Sequence, residues 1–412
     1  MDRMRHYRNP RRQGTRWLLR LFLLAAPLLG LAVSALAQQP LPNVLRSDAE
    51  RQVLNRERVG LVTGLPGGVY ARLGTEIAQL VDSSGPPPFR VVVQIGYGSV
   101  RNLDDLLNLQ RVDFALLQSD VVEAYAASGQ RDVYDELKRH MRIVATLHRE
   151  EIHILARGPF RDLASLAGRR VNIGAPGSGS NLTARNLFAR INLGVSIDQT
   201  PTTQARAQLI DGSLDALIYV VGKGADFFSG IPFNDASRAD LHFIPVPANL
   251  PNLDDYAPTQ LRNADYPLLV EQGHPVETRA VTALLAVFAW KEGDPRYAAA
   301  TRFIDGFFGG AARLVQPSGG FSRDQWCQAN LDGNVAGWQR FEAADRWLAA
   351  HRSVEPLLRK VAGAACPAAE TPTGCQDRFI EDMRKDGMVV SQPFSPRVQH
   401  EFDLWRPRNN CG

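Results

Sequence analysis

From Arg58 to Trp290, short apolar runs of strand length alternate with stretches of helical periodicity. Val59 to Val62 reads as a first strand, and Leu73, Ile77, Leu80 and Val81 then share one face of a helix that starts near Tyr70. Phe89 to Ile95 predicts a second strand, Gly96-Tyr97-Gly98-Ser99 a turn, and Val100, Leu103, Leu106 and Leu107 a helical stripe ending near Gln110. Phe114 to Leu117 is a third strand, with Ser119 or Asp120 placed to cap the helix that follows.

Ile143 to Ala156 predicts a long extended stretch interrupted by His148-Arg149-Glu150-Glu151. The architecture then restarts, with strand 171–173, helix 181–191, helix 204–209, strand 216–221 and strand 241–246. Residues 248–275 are rich in Pro, Asn and Asp and read as loops with short helices, Val276 to Ala289 is again β-prone, and Pro295 to Phe308 helical. Short helical patterns such as 338–348 follow. Strands alternating with helices in two series predict an α/β architecture of mostly parallel sheets, in two lobes joined by extended crossings near 147–157 and 270–280. A cleft between the lobes follows from that layout.

Charge and cysteine usage change the picture at both ends. Seven arginines precede the apolar run Leu21 to Val33, and Ala35-Leu36-Ala37 supplies a small-x-small cleavage pattern, so residues 1–37 are expected to be a secretory signal peptide. The leader carries seven Arg and one Asp, net +6 against +4 for the whole chain, so the remainder is about −2 and offers no basic surface for nucleic acid. Cys327, Cys366, Cys375 and Cys411 all lie in the last quarter, and export to an oxidising compartment predicts disulfides among them, with three possible connectivities. No CxxC pair or nearby His spacing supports zinc.

Three Gly/Ser-rich turns each follow a strand and precede a helix: Thr63 to Tyr70, Gly96 to Asn102, and Gly174 to Asn181. In α/β sheets ligands bind beyond the carboxyl ends of strands, where free N–H groups of helix N-termini attract negative charge. Converging across a cleft, these turns would hold a small carboxylate; separately, Ser99, Ser180 and Asn181 would only cap helices. Gln118-Ser119-Asp120 could project an amide and a hydroxyl into the same cleft or cap a helix, and Tyr70 could cover a ligand or pack in the core. The first turn spaces its glycines as Gly64, Gly67, Gly68, which is not GxGxxG, and no P-loop Lys-Ser/Thr pair occurs. Pro176-Gly177-Ser178-Gly179-Ser180 is not a GxSxG elbow, and strand alternation sends His148 and His153 to opposite faces, so no catalytic constellation is marked.

The stretches Thr63-Gly64 to Gly68-Val69-Tyr70, Gly98-Ser99 to Asn102, Val112 to Val121, and Leu166 to Ser180 resemble the TAXI family, the substrate-binding subunits associated with TRAP transporters. Asp211 to Ala216 and Val276 to Ala286 are similar as well, so the resemblance runs in order over about 58–310. It implies a two-lobed periplasmic binding protein fold of type II topology that closes on one small organic anion, a carboxylate such as a glutamate-like amino acid or a dicarboxylate. Delivery to TRAP membrane subunits is implied too. By position it assigns ligand contacts to Gly67, Gly68, Tyr70, Ser99, Asn102, Gln118, Ser119, Ser178, Gly179, Ser180 and Asn181. Ala71-Arg72 stands where the family usually continues with a second aromatic and a proline, and Leu65-Pro66 replaces smaller residues, which points to a different ligand.

The expected organisation is a signal peptide at 1–37, lobe 1 at 38–150 and 271–310, lobe 2 at 151–270, and a C-terminal extension at 311–412. A periplasmic monomer with no cofactor, no metal and no catalytic activity is expected. A periplasmic sensor or scaffold of the same fold, or a hydrolase, is the alternative.

Overall fold

The structure is a computed structural model that describes residues 47–82, 88–127, 129–231, 240–253, 255–316 and 320–351, with Phe379, Met383, Met388, Val389, Phe402, Leu404 and Trp405. The expected signal peptide and Cys366, Cys375 and Cys411 lie outside the described residues, and with them the expected disulfide pairings. The chain divides into two units, Met1–Arg51 and Gln52–Gly412, and helix α1 is Asp48–Arg56.

In the larger unit the first series forms as its periodicity predicts. It comprises β1 (Arg58–Val62), α2 (Val69–Val81), β2 (Arg90–Gln94), α3 (Ser99–Asn108), β3 (Phe114–Gln118), α4 (Ser119–Ala127) and α5 (Arg131–His140). The long strand β4 (Met141–Arg157) follows, and then the second series: β5 (Arg170–Asn172), α6 (Gly179–Arg190), β6 (Ser196–Asp198), α7 (Thr202–Asp211), β7 (Ala216–Val221) and α8 (Asp226–Ser229). Next come β8 (Leu241–Phe243), β9 (Ala257–Leu261), β10 (Val276–Phe288) and α9 (Pro295–Gly310), then α10 (Arg323–Trp326), β11 (Asn334–Val335), α11 (Glu342–Ala350) and β12 (Met388–Val389).

The strands run in the order β2-β1-β3-β10-β4-β7-β5-β6, with β8 on β4 and β9 on β10. β1, β2 and β3 are mutually parallel, as are β5, β6 and β7. These two parallel triplets are joined through β4 and β10, antiparallel to each other and long enough to serve both. The expected α/β class and its pair of extended crossings are therefore present, with the two parallel triplets at either end of one mixed sheet.

Alternation along the strands buries both faces of each triplet. Leu61, Phe114 and Leu116 enter one apolar cluster with Leu73 and Ile77 of α2 and Phe303 and Phe307 of α9, whereas Val62, Ala115 and Leu117 enter another with Leu103 and Leu106 of α3. In the second triplet Ala216, Ile218 and Val220 pack with Ala184 and Leu187 of α6, and Leu217 and Val221 face the other way. Helices on both faces cover the central strands β1, β3 and β7, which is why these read as continuous apolar runs, whereas the edge strand β6 stays largely exposed.

Several expectations need correction. β4 is not interrupted at His148–Glu151; it continues, and the ladder absorbs the polar stretch with a register shift that places Leu147 and His148 opposite Ala283. Residues 248–275 contain a strand, β9, despite Pro258, because an edge position next to β10 tolerates a missing donor. The strand at 241–246 ends at Phe243, and the helix at 338–348 begins at Glu342. Residues 311–351 share the first triplet's core: Leu314, Trp326, Leu331, Phe341 and Ala344 are buried in the cluster of β1 and α9, and Ser322 donates to Glu76 through its backbone N (2.8 Å) and hydroxyl (2.7 Å).

Candidate functional site

The turns at the carboxyl ends of β1 and β5 end in the same way, although Gly174 takes a left-handed φ of 82° and the aligned Gly64 does not. Gly64-Leu65-Pro66-Gly67-Gly68 and Gly174-Ala175-Pro176-Gly177-Ser178 align residue for residue, and Gly67 (φ 81°) and Gly177 (φ 86°) occupy the left-handed region that glycine adopts without strain. In each, the last residue donates its N–H back across the turn, Gly68 to Leu65 O at 3.0 Å and Ser178 to Ala175 O at 3.2 Å, and becomes the N-cap of the helix.

The first of these turns opens onto a cavity. It is lined by Gly67, Gly68, Val69 and Arg72 on one side and by Tyr219, Val221, Ala225, Asp226 and Phe227 on the other, is partly open to solvent, and offers about 20 Å³, room for one or two water molecules. Gly68 has no side chain to cap α2, so the polar floor is the helix's own first-turn N–H groups. Arg72 lies 3.7 Å from Asp226, both largely exposed, a weakly coupled pair able to exchange for ligand charges. The opposite wall is aromatic: Tyr219 meets Phe227 edge-on at 5.0 Å, and the Arg206 guanidinium lies 5.2 Å from the Phe227 ring centre while donating to Phe227 O. Burial, followed by the charge of Glu150, pushes the Tyr219 phenol up to about 12, so it stays a neutral donor.

Behind the cavity is a buried polar group. Tyr70 Oη donates to Glu150 Oε2 at 2.9 Å, and its ring meets the edge of His148. His148 is 0 % exposed, with Nε2 3.6 Å from Glu150 Oε1 and no hydrogen bond on either ring nitrogen. Burial, and then the charge of Glu150, raises the Tyr70 phenol well above its ordinary range. His153 lies in different surroundings, accepting or donating at Tyr266 Oη (2.8 Å) and stacked on Phe228, and burial lowers it to about 3. The two histidines therefore form no pair.

The second turn faces the first triplet directly. A Cβ on Gly98 would lie 2.8 Å from Ser178 Cα, a Cβ on Gly179 would overlap the Gln118 amide and come within 2.9 Å of Ser99 Oγ, and Arg101 N donates to Gly177 O at 3.0 Å. Gly179, Gln118, Ser99 and Ser178 thus meet where the triplets touch. The Gln118 carboxamide oxygen is buried there without a partner.

The remaining expected contact residues hold backbone. Asn102 donates to Leu116 O at 2.8 Å and to Thr63 O, tying β3 to the start of the first turn. Ser99 Oγ accepts from Gln118 N, Ser119 Oγ from Thr282 N, and Ser180 Oγ from Val220 N. Ser178 Oγ accepts from Asn181 N at 3.2 Å, and Asn181 donates to Gly174 O at 2.8 Å. Of the expected residues, Gly67 and Gly68 line the cavity, Tyr70 backs it, and the others lie at the contact between triplets or inside the turns. Ser119 or Asp120 is expected to cap α4; instead Ser119 Oγ accepts from Thr282 N, and Asp120 Oδ2 accepts from Thr183 and Tyr256.

Seven of the nine lining residues escaped sequence reasoning, four of them charged or aromatic. Arg72 stood out only as a departure from the resembled pattern, and Tyr219, Asp226 and Phe227 fall in a strand end and a short turn that carry no motif. Among the described residues no helix is long and apolar enough to cross a membrane, and no group of three or more His, Cys, Asp or Glu could hold a metal.

The family model of the NMT1-like family matches residues 61–287, more than half of the chain, from the end of β1 to the end of β10. Solved structures similar to this chain include the periplasmic binding protein BugD, 14% identical with a TM-score of 0.42, covering 75% of this chain and 99% of that one. The periplasmic aliphatic sulphonate binding protein SsuA from Escherichia coli is 14% identical, with a TM-score of 0.36 and coverage of 86% and 88%. The alkanesulfonate-binding protein SsuA from Xanthomonas axonopodis pv. citri bound to MOPS is 15% identical, with a TM-score of 0.37 and coverage of 86% and 94%. At such scores the fold rests on this chain's own strand order.

Proposed function

We propose the following reading for this chain, which belongs to the NMT1-like family: it is a periplasmic solute-binding protein that captures a small organic anion in the cavity at the N-terminus of α2. The two parallel triplets act as lobes, 38–150 with 271–310 and 151–270, that close on the ligand by bending β4 and β10. Residues 1–37 direct export, and the closed form is presented to membrane subunits of a TRAP-type transporter.

One observation carries the ligand class. A single cavity is walled by both triplets, with an uncapped helix N-terminus and Arg72 on one side and Asp226, Tyr219 and Phe227 on the other. A carboxylate fits the N–H groups and Arg72, and Asp226 supplies a partner for an ammonium group, so a zwitterionic or acidic amino acid satisfies every charge. With room for only one or two water molecules, the cavity must widen by movement of the triplets before it admits an organic anion.

Calorimetric titration against a panel of small carboxylates, amino acids and sulfonates tests the reading. A small carboxylate is expected to bind, and Arg72→Ala to weaken it by about 1–3 kcal/mol through a lost charge-assisted hydrogen bond. Binding that is unchanged in Arg72→Ala removes this cavity as the site, and the absence of binding across the panel removes the ligand class.

A further inference from the structure

On the far side of the contact between triplets, Asp120 makes a second junction. The side chain leaves the first turn of α4 and is 2 % exposed. Its Oδ2 accepts from Thr183 Oγ1 of α6 at 2.6 Å and from Tyr256 Oη, which precedes β9, at 3.2 Å. Both donors belong to the second series, so a carboxylate of one triplet is fastened by two hydroxyls of the other. Its Oδ1 is buried with no partner, a position that suits a proton.

Charge around this junction is unbalanced. On α4 itself Glu123 lies one turn further on. From α2 and β4 the Tyr70 phenol and Glu150 act on Asp120, from α5 Tyr134 is close to Glu123, and from the second series come Asp255, Tyr256 and Arg190. Arg190 is the one cation in this set, and it is already paired with Asp255 and lies over the Tyr256 ring. We propose that Asp120 is a positioning residue that works as a proton-operated latch, holding the two triplets together when protonated and loosening them when ionised.

Burial, against the hydrogen bonds from Thr183 and Tyr256, lifts the Asp120 carboxyl to about 7; burial and the charge of Asp120 lift Glu123 to about 8. Separation of the triplets would return both groups to water and to the ordinary range near 4. Both carboxyls therefore bind protons more tightly when the junction is formed. Closure is fully favoured below about pH 4, and the advantage is lost as pH climbs through about 7 to 8.

The latch rests on the closing motion of the proposed function but is read without any ligand. Spin labels carried by introduced non-natural residues at exposed Asp104 of α3 and Ile197 of β6 report the separation of the triplets. Between pH 5 and 8 the ratio of closed to open protein should fall by up to about tenfold per pH unit for each linked proton. Asp120→Asn, whose amide oxygen still accepts from Thr183 and Tyr256, should stay closed and lose most of the slope; Glu123→Gln should keep a reduced one. A wild-type distance distribution that is flat with pH, or an Asp120→Asn protein with the wild-type slope, overturns the latch. Should Asp120→Asn not fold, an unchanged slope in Glu123→Gln overturns it equally. A protein that binds a small acid but shows no pH-dependent distance loses only the latch, and one with the pH-dependent distance but no ligand loses only the proposed function.

Discussion

The turn that opens α2 and the turn that opens α6 share a glycine pattern and a left-handed glycine before the cap, and differ in almost everything that decides chemistry. The first has Gly68 as its N-cap and leaves the helix's leading N–H groups without a side-chain acceptor. In the second, Ser178 caps the helix, Asn181 fills the turn by donating to Gly174 O and Gln199, and Arg185 donates back to Asn181. Support for the first comes from outside, through Asn102 of α3 and its bond to Thr63 O. An anion site thus needs more than a glycine turn before a helix; it needs the turn's donors left unspent and a cavity in front of them. The second turn spends its donors on itself and uses its glycines to let the other triplet approach.

The sharpest way to break this contrast is to place a methyl group on each side of it. Gly98→Ala meets two costs: a φ of 117°, which any L side chain resists, and a Cβ 2.8 Å from Ser178 Cα across the contact. The strain acts in every state but the overlap acts only when the triplets touch, so the closed form should lose about 2–4 kcal/mol relative to the open one. Gly67→Ala has the same kind of φ but nothing within 4 Å of its Cβ, and should cost only about 1 kcal/mol of fold stability. Ligand affinity set beside thermal unfolding separates the two; equal losses in both variants would end the distinction between a contact turn and a ligand turn.

Removing the outside support is the next test. Asn102→Ala strips the carbonyls of Thr63 and Leu116 of their donor in a fully buried place and is expected to cost about 1–3 kcal/mol in chemical unfolding. Its counterpart Asn181→Ala, slightly less buried and holding one backbone carbonyl, that of Gly174, beside its side-chain contacts with Gln199 and Arg185, should cost less. The reverse ranking would mean that the second turn is the one that depends on its neighbours.

The smallest effect comes from making the first turn resemble the second. Gly68→Ser supplies the missing cap and should raise stability by a few tenths of a kcal/mol while weakening the ligand by competing for the same N–H groups. A serine Cβ there would approach Leu65 O at 3.1 Å, close enough to need a small adjustment. Stabilisation together with unchanged affinity would show that the α2 terminus does not hold the ligand.

Much of the fold was legible because it depends on periodicity. Leu73, Ile77, Leu80 and Val81 recur at helical spacing, and Val59 to Val62 and Phe114 to Leu117 are uninterrupted apolar runs, the mark of strands covered on both faces. Polar residues inside a strand and a proline at its edge misled the reading of β4 and β9, since a ladder can absorb either through a bulge or an unpaired edge position. Of the expected contacts, Gly67 and Gly68 reached the cavity, while Ser99, Asn102, Ser119, Ser180 and Asn181 satisfy backbone groups, a role that the same residue types fill anywhere a helix begins.

By itself, then, the order of residues determined the two series of strand-turn-helix units, the buried faces of their strands and the glycine turns at the strand ends, because each of these is set by neighbours a few positions away. Tertiary structure alone decided that Arg72 and Asp226 meet across a cavity and that Asp120 lies between Thr183 and Tyr256. Those outcomes depend on groups more than sixty residues apart in the chain being brought within hydrogen-bond or ion-pair reach, and no local pattern encodes such a distance.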